Sequence, residues 1–416
     1  MHEFKYKNNN LYCESVSVEE LARKYGTPLY IYSKATLLDH YRKIKEAFSS
    51  VNPLICFSMK ANSNLAICRA LVKEGAGLDI VSGGELYIAL KTGVSPRKIV
   101  YASVGKTEKE IEIAIQHNIF LFNVESIPEL KLISKVATRL GRRQKVALRI
   151  NPDIQPKTHR YITTGYGENK FGLDIESARG VFLNRPVYKN LEIQGIHMHI
   201  GSQITQSGPF IKAIEKTVDF IKKLEYSGID IRWLNIGGGL GIIYSDERPQ
   251  TAKEYAKAVL PVLKKVKANI ILEPGRFIVG NSGILAARVL YIKETARKNF
   301  AIVDAGMNDL IRPSLYGAYH EILPVCSSSY ADSKGIRSFD VVGPICESGD
   351  FLGTDRKFID LKEGDILAIM GAGAYGFSMS SNYNARPRPI EVLVEDGKAK
   401  VVRRRETYED LIRNEL

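Results

Sequence analysis

Cysteine is scarce in this chain, and what there is does not pair up. Five occur in 416 residues, Cys13, Cys56, Cys68, Cys326 and Cys346, with no CxxC spacing. An odd, dispersed set excludes a disulfide framework or a structural zinc site as the organising feature. Long apolar runs are missing too, since no stretch of about 18 residues is apolar enough to span a membrane. The opening residues, MHEFKYKNNNLYCESVSVEE, lack the apolar centre of a secretion signal. A cytoplasmic protein with no membrane partner is expected. Basic clusters interleaved with aromatics are also lacking. The net charge is +13, but Lys and Arg are spread along the chain, densest at Arg142-Arg143 and Arg403-Arg404-Arg405. Nucleic acid is therefore not an expected partner, whereas anionic small molecules suit a basic balance.

What is present is a rhythm. The length exceeds one compact core, so two domains are expected. Eight short apolar runs read as strands: Leu54–Met59, Leu78–Val81, Ile99–Ala102, Ile119–Phe122, Val146–Ile150, Ile193–Ile200, Trp233–Ile236 and Ile270–Leu272. Helical patterns such as Asn64–Glu74, Gly83–Lys91, Thr107–His117, Ile127–Leu140 and Phe210–Tyr226 lie between them. Alternating strands and helices imply parallel pairing with crossover helices, and eight such units predict a (β/α)8 TIM-type barrel. Beyond residue 280 the runs Ile284–Ile292, Phe300–Val303, Phe339–Val342, Ile366–Met370, Ile390–Val394 and Ala399–Val402 are separated mostly by turn residues. They predict an all-β domain, a sandwich or Greek-key-like barrel. Leu29–Tyr32 is a further strand candidate that can join it. The expected division is a barrel over residues 35–280 and a β domain from residues 1–34 plus 281–416.

Active sites of such barrels lie at the C-terminal ends of the strands. Reading those ends collects Lys60, Asp79, Arg149, His197, His199, Gly237–Gly239, Glu273, Gly275 and Arg276. Charged groups converging on one mouth suit an anionic ligand with titratable chemistry. The glycine run after strand seven can bring backbone amides close to a phosphate, although a tight turn alone would also use glycine. His197 and His199 are two apart on a strand and share a face. They are read as metal ligands, as packed structural residues or, preferably, with one ring stacked on an aromatic cofactor; no metal is called for. Lys60 ends an apolar strand. A solvated lysine is the plain reading, but cationic neighbours such as Arg149, Lys170 and Arg276 would lower its pKa and make it a competent imine former.

The segment Phe57-Ser58-Met59-Lys60-Ala61-Asn62 resembles the cofactor-lysine motif of the alanine-racemase-like, barrel-fold pyridoxal-phosphate enzymes. HMHIGS at His197–Ser202, Gly237–Gly239 and Glu273–Arg276 are similar to its decarboxylase branch, as are KTHRYITTGYGENKFGL at Lys157–Leu173, the Asp304–Ile322 stretch, GPICESGD at Gly343–Asp350 and GAGAYGFSMSSNY at Gly371–Tyr383. The resemblance covers essentially the whole chain. It implies pyridoxal 5'-phosphate as cofactor, carried by Lys60. Glu273 would serve the ring nitrogen and His199 the ring face. Ser202, Gly237, Gly238, Gly239, Gly275, Arg276 and Tyr375 would hold the phosphate, with Asp79 and Arg149 around Lys60. It further implies Cys346 as the acid that reprotonates the α-carbon. Arg276, Arg312, Tyr316, Glu347 and Tyr375 would contact substrate. A homodimer is implied, in which Cys346, Glu347 and Tyr375 serve the partner's site. The implied reaction is decarboxylation of meso-2,6-diaminopimelate to L-lysine, because Arg276 and Arg312 can grip a distal carboxylate through forked donors. Alternatives are a decarboxylase of another basic amino acid such as ornithine or arginine, a non-enzymatic pyridoxal-phosphate-binding protein, and a metal-dependent hydrolase using the two histidines.

Overall fold

The computed structural model describes residues 2–154, 170–326, 336–359 and 361–416. Most of the Lys157–Leu173 motif lies outside them, including the loop at His159–Lys170 apart from Lys170 itself. Two compact units are present. One comprises Met1–Asp39, Ile243–Glu247 and Ile278–Leu416, the other His40–Ile242 and Arg248–Phe277. The sequence rhythm does not single out the short segment Ile243–Glu247.

The second unit is a closed parallel barrel of eight strands: β1 Leu54–Ser58, β2 Gly77–Ile80, β3 Ile99–Tyr101, β4 Leu121–Val124, β5 Gln144–Arg149, β6 Leu191–His197, β7 Trp233–Asn235 and β8 Asn269–Leu272. All eight predicted strands are found, in barrel order. Polar caps start the helices that follow them. Asn64, Ser82, Thr107, Ser126, Asp174 and Thr251 each accept a backbone N–H in the first turn. Such caps satisfy donors that a helix start would otherwise leave unbonded. The 19-residue helix Gly208–Tyr226 buries Phe210, Ala213, Ile214, Thr217, Val218, Ile221 and Leu224, the stripe expected of a helix packed on one face.

The barrel interior divides into an apolar and a polar part, since alternate residues of a strand project from the same face. Cys56, Val100, Leu121, Ala147 and Ile271 form a buried apolar cluster, with Leu54 and Trp233 packed against it. Further towards the C-terminal ends stand Ser58, in register with Asp79, and Arg149, in register with His197 and Asn235, together with Asn123 and, just past β8, Glu273. The bore therefore changes from apolar to polar towards those ends.

The first unit carries a mixed sheet running Phe351–Ile359, Ile336–Val342, Asn299–Val303, Gly283–Glu294, Leu29–Ser33, Ile390–Glu395 and Lys398–Arg403, with Ile366–Ile369 and Ile322–Pro324 branching from Gly283–Glu294. Leu29–Ser33 lies inside this sheet, antiparallel to Gly283–Glu294 and parallel to Ile390–Glu395. The N-terminal three-stranded sheet and the helix Val18–Tyr25 share a core with it through Phe4, Leu11, Val18, Leu21, Ile31, Ile284 and Val392. Five strands escape the sequence reading: the N-terminal Phe4–Lys7, Asn10–Cys13 and Val16–Ser17, and within the mixed sheet Ile322–Pro324 and Phe351–Ile359. The last reads FLGTDRKFI, where Gly353 and three charges interrupt the apolar pattern that marks strands.

Candidate active site

Glu273 organises the polar layer. Its Oε1 accepts from Asn123 Nδ2 at 2.8 Å and from Asn235 Nδ2 at 2.5 Å. Asn123 sits on β4 and Glu273 just past β8, on opposite sides of the closed barrel, so this bond crosses the bore. His197 Nε2 lies 3.3 Å from Oε2 without hydrogen-bond alignment, and neither ring nitrogen of His197 has a hydrogen-bond partner among the described residues. Burial opposes ionisation of Glu273. The His197 ring, the Lys60 ammonium and the Asn235 amide outweigh it and hold the carboxyl well below its ordinary range. The bore thus contains a carboxylate kept ionised.

Lys60 follows in the turn Met59–Ala61, its side chain 38% exposed and its Nζ 3.6 Å from Asp79 Oδ2. Asp79 is fully buried and also accepts from Ser58 Oγ. Burial raises its pKa, the nearby Glu273 charge raises it further, and Lys60 opposes both. Arg149, expected as a cationic neighbour of Lys60, is itself ion-paired with Glu125. Its Nη1 donates to Glu125 Oε1 at 2.7 Å, and its guanidinium lies 4.6 Å from the Phe171 ring centroid. Lys170 is exposed beside the same ring. Arg276 is buried and its Nε donates to Ser202 Oγ at 3.1 Å.

The glycine run is shaped by its neighbours. A Cβ on Gly238 would stand 2.2 Å from Glu273 O, and one on Gly237 or Gly239 would meet Met198 O at 2.7 Å or Gly201 O at 2.5 Å. Gly237 and Gly239 also have φ of +68° and +107°. The Gly237 N–H donates to Asn235 Oδ1 at 2.9 Å. The Gly238 N–H reaches His199 Nδ1 at a long 3.4 Å. Burial, then the Lys60 and Arg149 charges, push His199 well below its usual pKa, so the ring is neutral. Gly275 packs on the turn that carries Lys60, where a Cβ would lie 3.0 Å from that of Ser58.

Sequence reasoning missed the brace behind this layer. Lys106 Nζ, fully buried, donates to Glu129 Oε1 at 2.6 Å, to Asn123 O at 2.9 Å and to Ser103 O at 2.8 Å. Glu129 Oε2 in turn accepts the Glu125 N–H at 2.8 Å. One ion pair therefore fixes the backbone of the strand end whose side chains hold Glu273 and Arg149.

The other sequence candidates lie in the β unit. Arg312 and Tyr316 open and close a five-residue helix ended by Gly317 at φ +60°. Arg312 is buried and Tyr316 half-buried. Cys346 and Glu347 are exposed at the tip of GPICESGD. Asp350 shapes that loop by accepting from Met307 N at 2.6 Å and Ile345 N at 2.7 Å, while Cys346 N donates to Asn384 Oδ1 at 2.7 Å. Tyr375 has φ +57°, rare for a side chain of its size. Gly373 and Gly376 flank it, and at both a Cβ would collide with backbone oxygen. Held strain of this kind clusters at functional positions.

Residues 34–280 match the family model for the pyridoxal binding domain of pyridoxal-dependent decarboxylases. The chain belongs to this family. Similarity to other pyridoxal-dependent decarboxylases extends through the β unit. The diaminopimelate decarboxylase of Aquifex aeolicus is 49% identical over 412 residues, covering 99% of this chain and 97% of the relative. That of Vibrio cholerae is 47% identical over 414 residues, with 99% and 98% covered. The crystal structure of diaminopimelate decarboxylase from M. jannaschii in complex with L-lysine superposes with a TM-score of 0.94 at 42% identity, covering 100% of this chain and 99% of that one. No helix among the described residues is long and apolar enough to cross a membrane.

Proposed function

We propose that the chain decarboxylates meso-2,6-diaminopimelate to L-lysine and CO2, with pyridoxal 5'-phosphate held in the barrel. The observation that carries this reading is identity near one half over both units to relatives named for that reaction. The polar layer fits the cofactor on its own chemistry. A ring nitrogen that must stay protonated needs an ionised carboxylate, and Glu273 is kept ionised by the His197 ring, the Lys60 ammonium and the Asn235 amide. The ring nitrogens of buried His197, without a hydrogen-bond partner among the described residues, mark polar capacity in the same bore. The cofactor, when bound, supplies the electron sink for the pair left behind by departing CO2.

The residues then divide the work. Lys60 holds the cofactor through its amine, with Asp79 Oδ2 beside Nζ to take up or return its proton. Glu273 Oε2 holds the proton on the ring nitrogen. Neutral His199 covers the ring face. Ser202, Arg276 and the amides of Gly238, Gly239 and Gly275 bind the phosphate, with the Tyr375 hydroxyl. In the β unit, Cys346 Sγ delivers a proton to the carbon that has lost CO2. Arg276 and Arg312 take the distal carboxylate by charge-assisted donation, Tyr316 adds a hydroxyl and Glu347 accepts from the distal ammonium. The active form proposed is a cytoplasmic homodimer whose sites each draw Cys346, Glu347 and Tyr375 from the other copy.

The test is CO2 release by the purified protein with pyridoxal phosphate on meso-diaminopimelate, lysine, ornithine and arginine. Turnover of diaminopimelate alone is expected. Preferential turnover of ornithine or arginine would overturn the substrate assignment.

A further inference from the structure

His320 is fully buried in the β unit and carries no role so far. Its Nε2 lies 2.8 Å from Arg312 Nη1 and its Nδ1 lies 2.7 Å from Met370 O. A guanidinium only donates and a carbonyl only accepts. The proton therefore sits on Nδ1, donated to Met370 O, and Nε2 offers its lone pair to Arg312. The acceptor is anchored on both sides. Met370 N donates to Glu321 O at 2.8 Å, and the strand before it, Ile366–Ile369, is paired with Gly283–Glu294 and Ile322–Pro324. Tyr244 completes the arrangement. Its ring lies 4.6 Å from the Arg312 guanidinium and meets the His320 ring edge-on at 5.2 Å and 72°. Gly371, at φ +64°, leaves room for that ring, since a Cβ there would stand 3.3 Å from it.

The chemistry of the acceptor matters. A carboxylate in place of His320 would hold Arg312 equally well but cancel its charge and compete with an incoming anion. A neutral ring nitrogen fixes the orientation of the fork and leaves the charge intact. Cation–π contact with Tyr244 does the same from the face. We propose that His320, assisted by Tyr244, is a positioning residue that aims Arg312 at the distal carboxylate of the substrate and so sets specificity. This rests on the reading of Arg312 as the group that binds that carboxylate.

Steady-state kinetics on the holoenzyme test it with Arg312→Ala, His320→Asn, His320→Gln, His320→Glu and the double variant. His320→Asn can still donate toward Met370 O but cannot reach Arg312. It is expected to raise KM about 10-fold or more with kcat within about 3-fold and cofactor absorbance unchanged, as for loss of a hydrogen bond to a charged group. His320→Gln restores an uncharged acceptor and recovers most of the KM. His320→Glu restores an acceptor and neutralises the charge, so its KM stays high. In the Arg312→Ala background His320→Asn adds less than about 2-fold. Should the His320 variants fold poorly, Tyr244→Leu leaves the ring nitrogens alone and is expected to raise KM about 3-fold or more. An unchanged KM in Arg312→Ala would sink the reading of Arg312 and this inference with it. A raised KM there, with His320→Asn and Tyr244→Leu both like wild type, would overturn only the role of His320. Loss of kcat or of cofactor binding in His320→Asn without a KM change would also contradict it.

Discussion

The barrel mouth and the loops of the β unit solve the same problem differently. In the barrel, the candidate side chains extend from strand ends and brace one another across the bore, as Asn123 braces Glu273. In the β unit they stand on turns or on the five-residue helix Arg312–Tyr316, and what holds them is local: Asp350 under Cys346 and Glu347, His320 behind Arg312, two glycines near Tyr375. Strand ends give precision through the fold as a whole. Turns give it only where a buried polar group is dedicated to them, because a turn supplies few backbone bonds of its own. Substitutions in the barrel layer should therefore strike chemistry and stability together, whereas those in the β unit should separate them.

The sharpest way to break this contrast is Glu273→Gln. It keeps the shape but removes the carboxylate. A loss of about 10²–10³-fold in kcat is expected, the scale for removing a preorganised electrostatic partner, measured as CO2 release at saturating substrate. Next is Lys106→Met, which leaves Glu129 buried without its cation. Breaking such a pair costs about 3–5 kcal/mol, so the denaturation midpoint should fall markedly, and the added change Glu129→Leu should recover much of it. If Lys106→Met leaves stability unchanged, the brace behind the barrel layer is not one. The smallest effect concerns pH in the β unit. Burial pushes the Asp309 carboxyl up to about 7. Its folded pKa thus exceeds its unfolded one, and the folded state holds the extra proton. That stabilisation is present at acid pH and is lost as pH rises from about 4 through about 7. Asp309→Asn should flatten this decline, seen in urea midpoints between about pH 5 and pH 8.

The barrel could be read from sequence because its strands are short apolar runs spaced by capped amphipathic helices. The sixth strand was expected to run to Ile200, but it ends at His197, so His199 stands beyond the strand and strand parity does not fix its face. What escaped has physical reasons. The fourth strand was expected to end at Phe122, but it runs over Leu121–Val124, and the two-residue slip dropped Asn123 and Glu125 from the strand-end inventory. Lys106 and Glu129 look like surface charges in any linear pattern; only the fold buries them together. In the β unit no period applies to turns. Arg312, Tyr316, Cys346, Glu347 and Tyr375 were legible only through family resemblance, and His320 and Asp350 were not legible at all.

The most direct measurement is borohydride reduction of the cofactor-loaded protein followed by peptide mapping. The account predicts a visible absorbance band that reduction abolishes, with the reduced pyridoxyl group on the peptide containing Lys60. Label on another lysine, or a colourless protein that releases CO2 from meso-diaminopimelate without the cofactor, would contradict it.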